Sequence, residues 1–577
     1  MNQFNIYSRR SFLDRSLKTS LGVALATLTD IPFVMKRALA EGSIGLNGKK
    51  VLFIWLRFGN DGLNNIVPIE DGAYGSIRPN IGITKDPAAA ANFYQQTGPC
   101  FDATSYSDVA GTLRGANDDT FSYARALRTG NGFAALHPAL KFLAPVYNAG
   151  QLALLHRVAY PKQSRSHFDS QNYWENGNPN NNLSKDGIFY RTIMESGLAN
   201  TAPLTGVTVQ SALPLILRGS KAAMTNLTSP TRYDLLGVPS PAGDNKAFDA
   251  ITSGNYYPFP DKRNRELLDL QYLNMSNTLR IFSAMDFSEA GNVLRDDAVT
   301  DNDQVWFDGT APTGTPANRG YYLFPTTNSK NGGYQRPGGG GTKTTKFVVP
   351  SSQYSFFTNL KAAAMILNKT DAIIAGTELG GFDTHQTQGG ATGSHANLLQ
   401  CVGWAMYALR KYFMLYAAKA TWNNLVVVTL SEFGRTSVEN SDKGTDHAEA
   451  GVMYVAGGAV KGYGAGNASG VFGCSPAEAL PWNPGPRTTS LATCGTMFSA
   501  GSPDGTGGTI NPVTAGYLRR AIDYRSVLGE IIRKHLGSTQ AQLDRIIPGY
   551  AAANEYLLGG GTSGVDGIKL RGELGLL

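Results

Sequence analysis

A chain of 577 residues, 42% hydrophobic, with 67 glycines and only 16% charged residues, is long enough for one large domain with insertions or for two or three domains, and it does not read as a charged helical bundle. Its formal net charge is +7, but residues 1–40 carry six Arg/Lys against two Asp, which leaves about +3 for the remainder. No Lys/Arg-rich run follows, which argues against a nucleic-acid partner, and no later apolar run reaches transmembrane length.

At the N-terminus, Ser8-Arg9-Arg10-Ser11-Phe12-Leu13 reads as a twin-arginine export signal, with Asp14 where a lysine is usual. A mildly apolar stretch from Leu21 to Met35 contains Asp30 and Pro32. Ala38-Leu39-Ala40 then gives the small-x-small pattern of a cleavage site. Residues 1–40 are expected to engage the twin-arginine translocase, which exports folded chains to the periplasm or beyond. Residues 41–577 would form the mature, soluble domain.

Short, near-continuous apolar runs predict strands covered on both faces, as in a mostly parallel sheet. They are Lys50–Leu56, Gln151–Val158, Ala372–Leu379, Asn424–Leu430 and Val452–Val455. Helical spacing over Ser355–Leu367 and His395–Leu415, each before a strand, gives an α/β alternation. Residues 225–349 break it with one amphipathic stretch, Arg263–Met285, and a Gly/Pro/Asn-rich passage, and are expected to be an insertion or cap. Arg519–Leu536 is predicted to be a helix. Of the four cysteines, Cys401 falls in a helical segment and reads as a buried thiol, while Cys474 and Cys494 could bridge in an oxidising compartment.

Ligands in open α/β sheets bind beyond the carboxyl ends of strands, and polar motifs follow these predicted strands. Asp61 follows the first and Ser164-Arg165-Ser166-His167-Phe168-Asp169 the second. Asp383-Thr384-His385 and Ser431-Glu432-Phe433-Gly434-Arg435 follow the next two, and Asp446-His447 precedes the last. Mixed Asp and His ligands favour zinc or manganese, whereas carboxylates alone would suit magnesium or calcium. A serine beside a metal can act as a nucleophile, and an arginine fork can hold a phosphate or sulfate. Taken singly, each motif has a plainer reading: Ser166 with Asp169 resembles a helix cap, and Asp446-His447 a surface pair.

The segments RFGNDGLN, LHPAL, SRSHFDSQNYWENG, GFDTHQ, VVVTLSEFGRTSVEN and GTDHAEA, with Asp523-Tyr524-Arg525 near the end, resemble the exported bacterial family called domain of unknown function 1501. That family resembles a branch of the alkaline-phosphatase and sulfatase superfamily. The resemblance implies an alkaline-phosphatase-like sheet sandwiched by helices. It implies metal ligands at Asp61, Asp383, His385, Glu432 and His447, and a nucleophile at Ser166, with Ser164 as a rival. Arg165 and Arg435 would hold the anion. The implied activity is metal-dependent hydrolysis of a phosphate or sulfate ester, small or polymeric. Two departures stand out: Glu432-Phe433-Gly434 replaces the superfamily's Asp-His-Gly, and Cys474-Ser475-Pro476-Ala477-Glu478 lacks the arginine of the sulfatase motif. The alternative is a non-catalytic exported protein that keeps the fold to bind an exported partner.

Overall fold

The strand Lys50–Leu56 (β1) is buried along its whole length, and the alternation of its side chains divides the core in two. Leu52, Ile54 and Leu56 join one apolar cluster. Val51, Phe53 and Trp55 join a second on the opposite face. This computed structural model describes residues 44–45, 47–71, 74–84, 126–160, 163–197, 204–220, 224–230, 348–464, 469–475, 521–548 and 573–577, with short pieces between 278 and 345 and residue 518.

Eight further strands complete a mixed sheet: Leu152–Ala159 (β2), Gly206–Val209 (β3), Thr225–Leu227 (β4), Ile374–Leu379 (β5), Leu425–Leu430 (β6), Gly451–Ala456 (β7), Val471–Phe472 (β8) and Ile522–Asp523 (β9). The spatial order is β8-β2-β7-β6-β1-β5-β3-β4, with β9 also paired to β2. β1 lies parallel to β5 and β6. Only β7 runs against its neighbours, antiparallel to β6 and to β2.

The helices Tyr354–Lys369 (α3) and Ser394–Leu415 (α4) cover one face together with the 3-10 segment Pro138–Leu143. His167–Asn176 (α1), Ile188–Glu195 (α2), Tyr524–Glu530 (α5) and Gln540–Ile546 (α6) cover the other. The packing across the sheet is close. A Cβ at Gly376 of β5 would lie 2.0 Å from the Phe53 ring, so the glycine leaves room for that phenylalanine.

Three sequence expectations change. β7 is antiparallel because Ser431–Ala450 returns without the helical crossover a parallel strand requires. The helix expected over Arg519–Leu536 begins at Tyr524 instead. Asp523 caps it, accepting from the Arg525 amide at 3.0 Å, and Ile522–Asp523 pairs as a strand. Thr225–Leu227, where the insertion was expected to begin, is the sheet's edge strand beside β3.

Most of 225–349, including most of Arg263–Met285, falls outside the described residues, as do residues 1–40 and Cys494. Cys401 is buried, and burial pushes its thiol pKa up. Among the described residues no helix is long and apolar enough to cross a membrane.

Candidate metal centre

β1, β2, β5 and β6 end at the sheet edge where antiparallel β7 begins, so the segments that follow or precede these strands meet there. The β6–β7 segment is the hub. Its Arg435 and His447 form an antiparallel bridge. At Gly434 a Cβ would meet the Ala450 carbonyl oxygen at 2.0 Å, so only glycine lets the segment fold back so tightly. The segment after β5 is laced to it by backbone bonds from Thr387 to Asp442, Gln388 to Lys443 and Thr445 to Thr384, at 2.9–3.1 Å.

α1 is pinned to the same hub. Ser166 is its N-cap: the hydroxyl accepts from the Asp169 amide at 3.4 Å. The Ser170 hydroxyl and the Gln163 amide both donate to the Glu432 carbonyl, at 2.5 and 2.8 Å. The first residue of the helix, His167, is thereby aimed inward. Its ring packs against Phe433 at 4.7 Å and His447 at 4.4 Å.

Three histidines and one carboxylate converge. His167 Nδ1 faces Glu432 Oε1 at 2.9 Å, an oxygen that also accepts from the Phe58 amide at 2.8 Å. His385 Nδ1 faces Asp446 Oδ1 at 2.9 Å, which also accepts from the Asn440 amide group. His447 Nδ1 faces the Arg165 carbonyl at 2.9 Å. Each Nδ1 therefore meets an acceptor, and the tautomer that places the proton there leaves Nε2 with a lone pair. The Nε2 atoms of His385, His447 and His167 lie 3.1, 3.3 and 3.6 Å from Asp383 Oδ1. The ligand atoms of His167, Asp383 and His447 all fall within 4.8 Å of one another.

The donor set fits a divalent ion. His385 and His447 bring their Nε2 atoms to 3.0 Å, where two lone pairs repel unless a cation or an added proton lies between them. Among the described residues, the buried His167 Nε2 has no hydrogen-bond partner. Tetrahedral zinc with bonds of about 2.0–2.1 Å sets its ligands roughly 3.3 Å apart, close to the separations seen around Asp383. Nitrogen-rich donors also favour zinc or manganese over magnesium or calcium.

Electrostatics favour the ionised form of Asp383 and the neutral form of His447. Burial would raise the Asp383 pKa, but the hydrogen bond and charge of Arg435, helped by His447 and His385, bring it down to about 2. Burial, then Arg435 and His167, lower that of His447, against the opposing pull of Asp383.

The remaining expected site residues take other places. Asp61 is fully buried and outside the cluster of His167, Asp383 and His447, although His395 lies within range of its charge. Its oxygens accept from Arg78 Nη1 and Nη2 at 2.6 and 2.9 Å and from the Gln388 amide at 2.5 Å, so it lies in a structural ion pair rather than among the ligands. Burial would raise its pKa, yet Arg78 holds it below the usual carboxylate range. Glu432 stands behind His167, on its Nδ1, rather than among the atoms that face Asp383.

Arg435 is buried and donates to the carbonyls of Gly59, Phe58, Phe382 and Thr445 at 2.5–3.1 Å and to Asp383 Oδ1 at 2.5 Å. It ties the loops together and does not present a free fork for an anion. Arg165 takes part through its carbonyl, and Ser166 is exposed at the rim. The sequence reading missed His167 and Asp446 as site residues. A cap at Ser166 was the available signal, because it sets the next residue at the first helical position.

An α/β protein with a His/Asp centre at one sheet edge is the class that fold and site define. Residues 342–478, which hold Asp383, His385, Glu432, Arg435, Asp446 and His447, match the family described as protein of unknown function (DUF1501). The match supports that family for this part of the chain; His167 lies outside it. No curated protein and no solved structure matches the chain.

Proposed function

We propose that the protein is an exported metal-dependent hydrolase of phosphate or sulfate esters, built as a branch of the alkaline-phosphatase-like proteins. The observation that carries this reading is the convergence of three Nδ1-anchored histidines on Asp383 Oδ1 at 3.1–3.6 Å. His167, Asp383 and His447 would hold the ion, with His385 as a further ligand, while Glu432 and Asp446 fix the rings. A bound zinc or manganese ion supplies Lewis acidity, which polarises an ester oxygen and favours deprotonation of a nearby hydroxyl. Ser166, exposed at the N-terminus of α1 beside His167, is the candidate nucleophile, and the adjoining Arg165 would steer the anion. Delivery by the twin-arginine translocase would let the ion be selected during folding in the cytoplasm.

The test is metal content together with turnover of a panel of phosphate monoesters, phosphate diesters and sulfate esters. About one zinc or manganese per chain and turnover abolished in His447→Ala are expected. Protein that holds no ion after dialysis against either metal, or that turns over esters equally without one, overturns the proposal.

A second reading, a non-catalytic exported protein that binds a partner through the same fold, rests on Arg435. Its guanidinium sits 2.5 Å from the carboxylate oxygen that the histidines face and already neutralises part of its charge. A tightly bound ion with no turnover of any ester in the panel would favour it.

A further inference from the structure

A cleft of about 400 Å³ opens beside the candidate metal centre. Its walls come from Arg57 and Phe58 after β1, Gln171 one turn into α1 beyond His167, Gln210 and Ser211 after β3, and Glu378 in β5. These are carboxyl-terminal strand ends and the helix they support, the usual ligand edge of an α/β sheet.

Phe58 belongs to both the cleft and the centre. Its ring is 44% exposed and stands edge-on to His167 with centroids 5.5 Å apart. Its backbone sits at φ 82, in the left-handed region, held there by its amide on Glu432 and its carbonyl on Arg435. Such a conformation is strained for a non-glycine residue and persists only where surrounding bonds impose it.

The charges of the cleft cancel. Arg57 is clasped by Glu175 at 3.2 Å and Glu378 at 2.9 Å, and Trp55 stacks beneath its guanidinium at 4.5 Å. Such a wall has little net attraction for an ion. What it offers is hydrogen bonding beside an aromatic face. Gln210 is only 3% exposed, and its Nε2 donates to the Ala212 carbonyl at 3.0 Å. Its Oε1 is buried without a partner among the described residues, an unfavourable state for a polar atom. Gln210 lines the cleft, and a hydroxyl at that wall would offer its Oε1 the donor it lacks.

We infer that this cleft binds a neutral, polyhydroxylated group, a sugar unit, with its apolar C–H face on Phe58 and a hydroxyl donated to Gln210 Oε1. Hydroxyls suit the wall because each can both donate to the carboxylates and accept from amide and guanidinium groups. The assignment of this group to the alcohol portion of the ester rests on the hydrolase reading; the binding itself does not.

The test titrates the protein with three neutral trisaccharides, built from glucose, galactose and N-acetylglucosamine, read by ligand-observed NMR. Saturable binding of at least one is expected. Ser211→Trp, which fills the cleft from an exposed position, should weaken it at least tenfold, and Gln210→Leu at least fivefold, with metal content kept in both. His447→Ala should bind the same sugar within twofold while losing the ion, so failure of the hydrolase reading appears in the metal and turnover measurements and failure of this inference in the sugar titration. No saturable binding of any of the three, or binding indifferent to both cleft substitutions, overturns the inference.

Discussion

Replacing Asp61 by asparagine separates a structural carboxylate from a metal ligand. Asp61 and Arg78 are both without solvent exposure. Arg78 spends two donors on Asp61, at 2.6 and 2.9 Å, and others on Asn64 Oδ1 and the carbonyls of Ser437 and Thr436 at 2.7–2.8 Å. Asp61→Asn keeps the volume but removes the negative charge, and its amide NH₂ must face either the guanidinium or the Gln388 amide, both donors. A buried pair broken on one side typically costs about 3–5 kcal/mol. Asn64 and the two carbonyls still accept from Arg78, which places the expected loss nearer the lower figure. Equilibrium urea unfolding followed by tryptophan fluorescence measures that loss, and elemental analysis of the folded variant measures the ion. The expected result is reduced stability with unchanged metal per folded chain. Loss of the ion at undiminished stability would refute the placement of Asp61 outside the centre.

His167→Ala should abolish stoichiometric zinc or manganese, because His167 is one of the three side chains whose ligand atoms lie within 4.8 Å of one another; equilibrium dialysis checks it. Glu432→Gln keeps the side chain's size but weakens the anchor on His167 Nδ1, and should lower metal affinity about 10–100-fold in a competition titration. Ser166→Ala should cost about 1 kcal/mol of stability through the lost cap and, on the hydrolase reading, nearly all ester turnover, while leaving metal content alone. His535 is buried with Nε2 donating to the Lys50 carbonyl at 2.9 Å, and burial lowers its pKa from 6.5 to about 4. Between those values the unfolded chain takes up a proton that the fold refuses. Its contribution to stability is therefore intact above about pH 6.5 and falls by about 3 kcal/mol as the pH drops to about 4. His535→Gln should flatten that part of the stability–pH curve.

The long central strands were legible because their apolar runs are continuous: Lys50–Leu56 is buried at all seven positions. β3, β4, β8 and β9 span only two to four residues, too few to set a period against background. The direction of β7 is a property of the connection before it and leaves no mark in Gly451–Ala456 itself. The gathering edge was readable because each motif adjoins a strand, but which side chain turns inward was not. Asp61 adjoins a strand as Asp383 does, yet it meets Arg78, seventeen positions on, in a stretch without a motif. Ser166 was singled out while its neighbour His167 reaches the centre.

The departure at Phe433 carries the clearest lesson about the site. The resemblance leads one to expect a histidine there, and its absence suggests a ligand lost. In the fold, the Phe433 ring lies 4.7 Å from both His167 and His447 and supports them from beneath. His167, arriving from α1, brings a nitrogen to within 3.6 Å of the same carboxylate oxygen that His385 and His447 face. The donors around Asp383 thus come from segments far apart in the chain. An ion needs a set of lone pairs at bonding distance and is indifferent to which segment brings them. A motif read along one segment therefore undercounts a centre assembled from three.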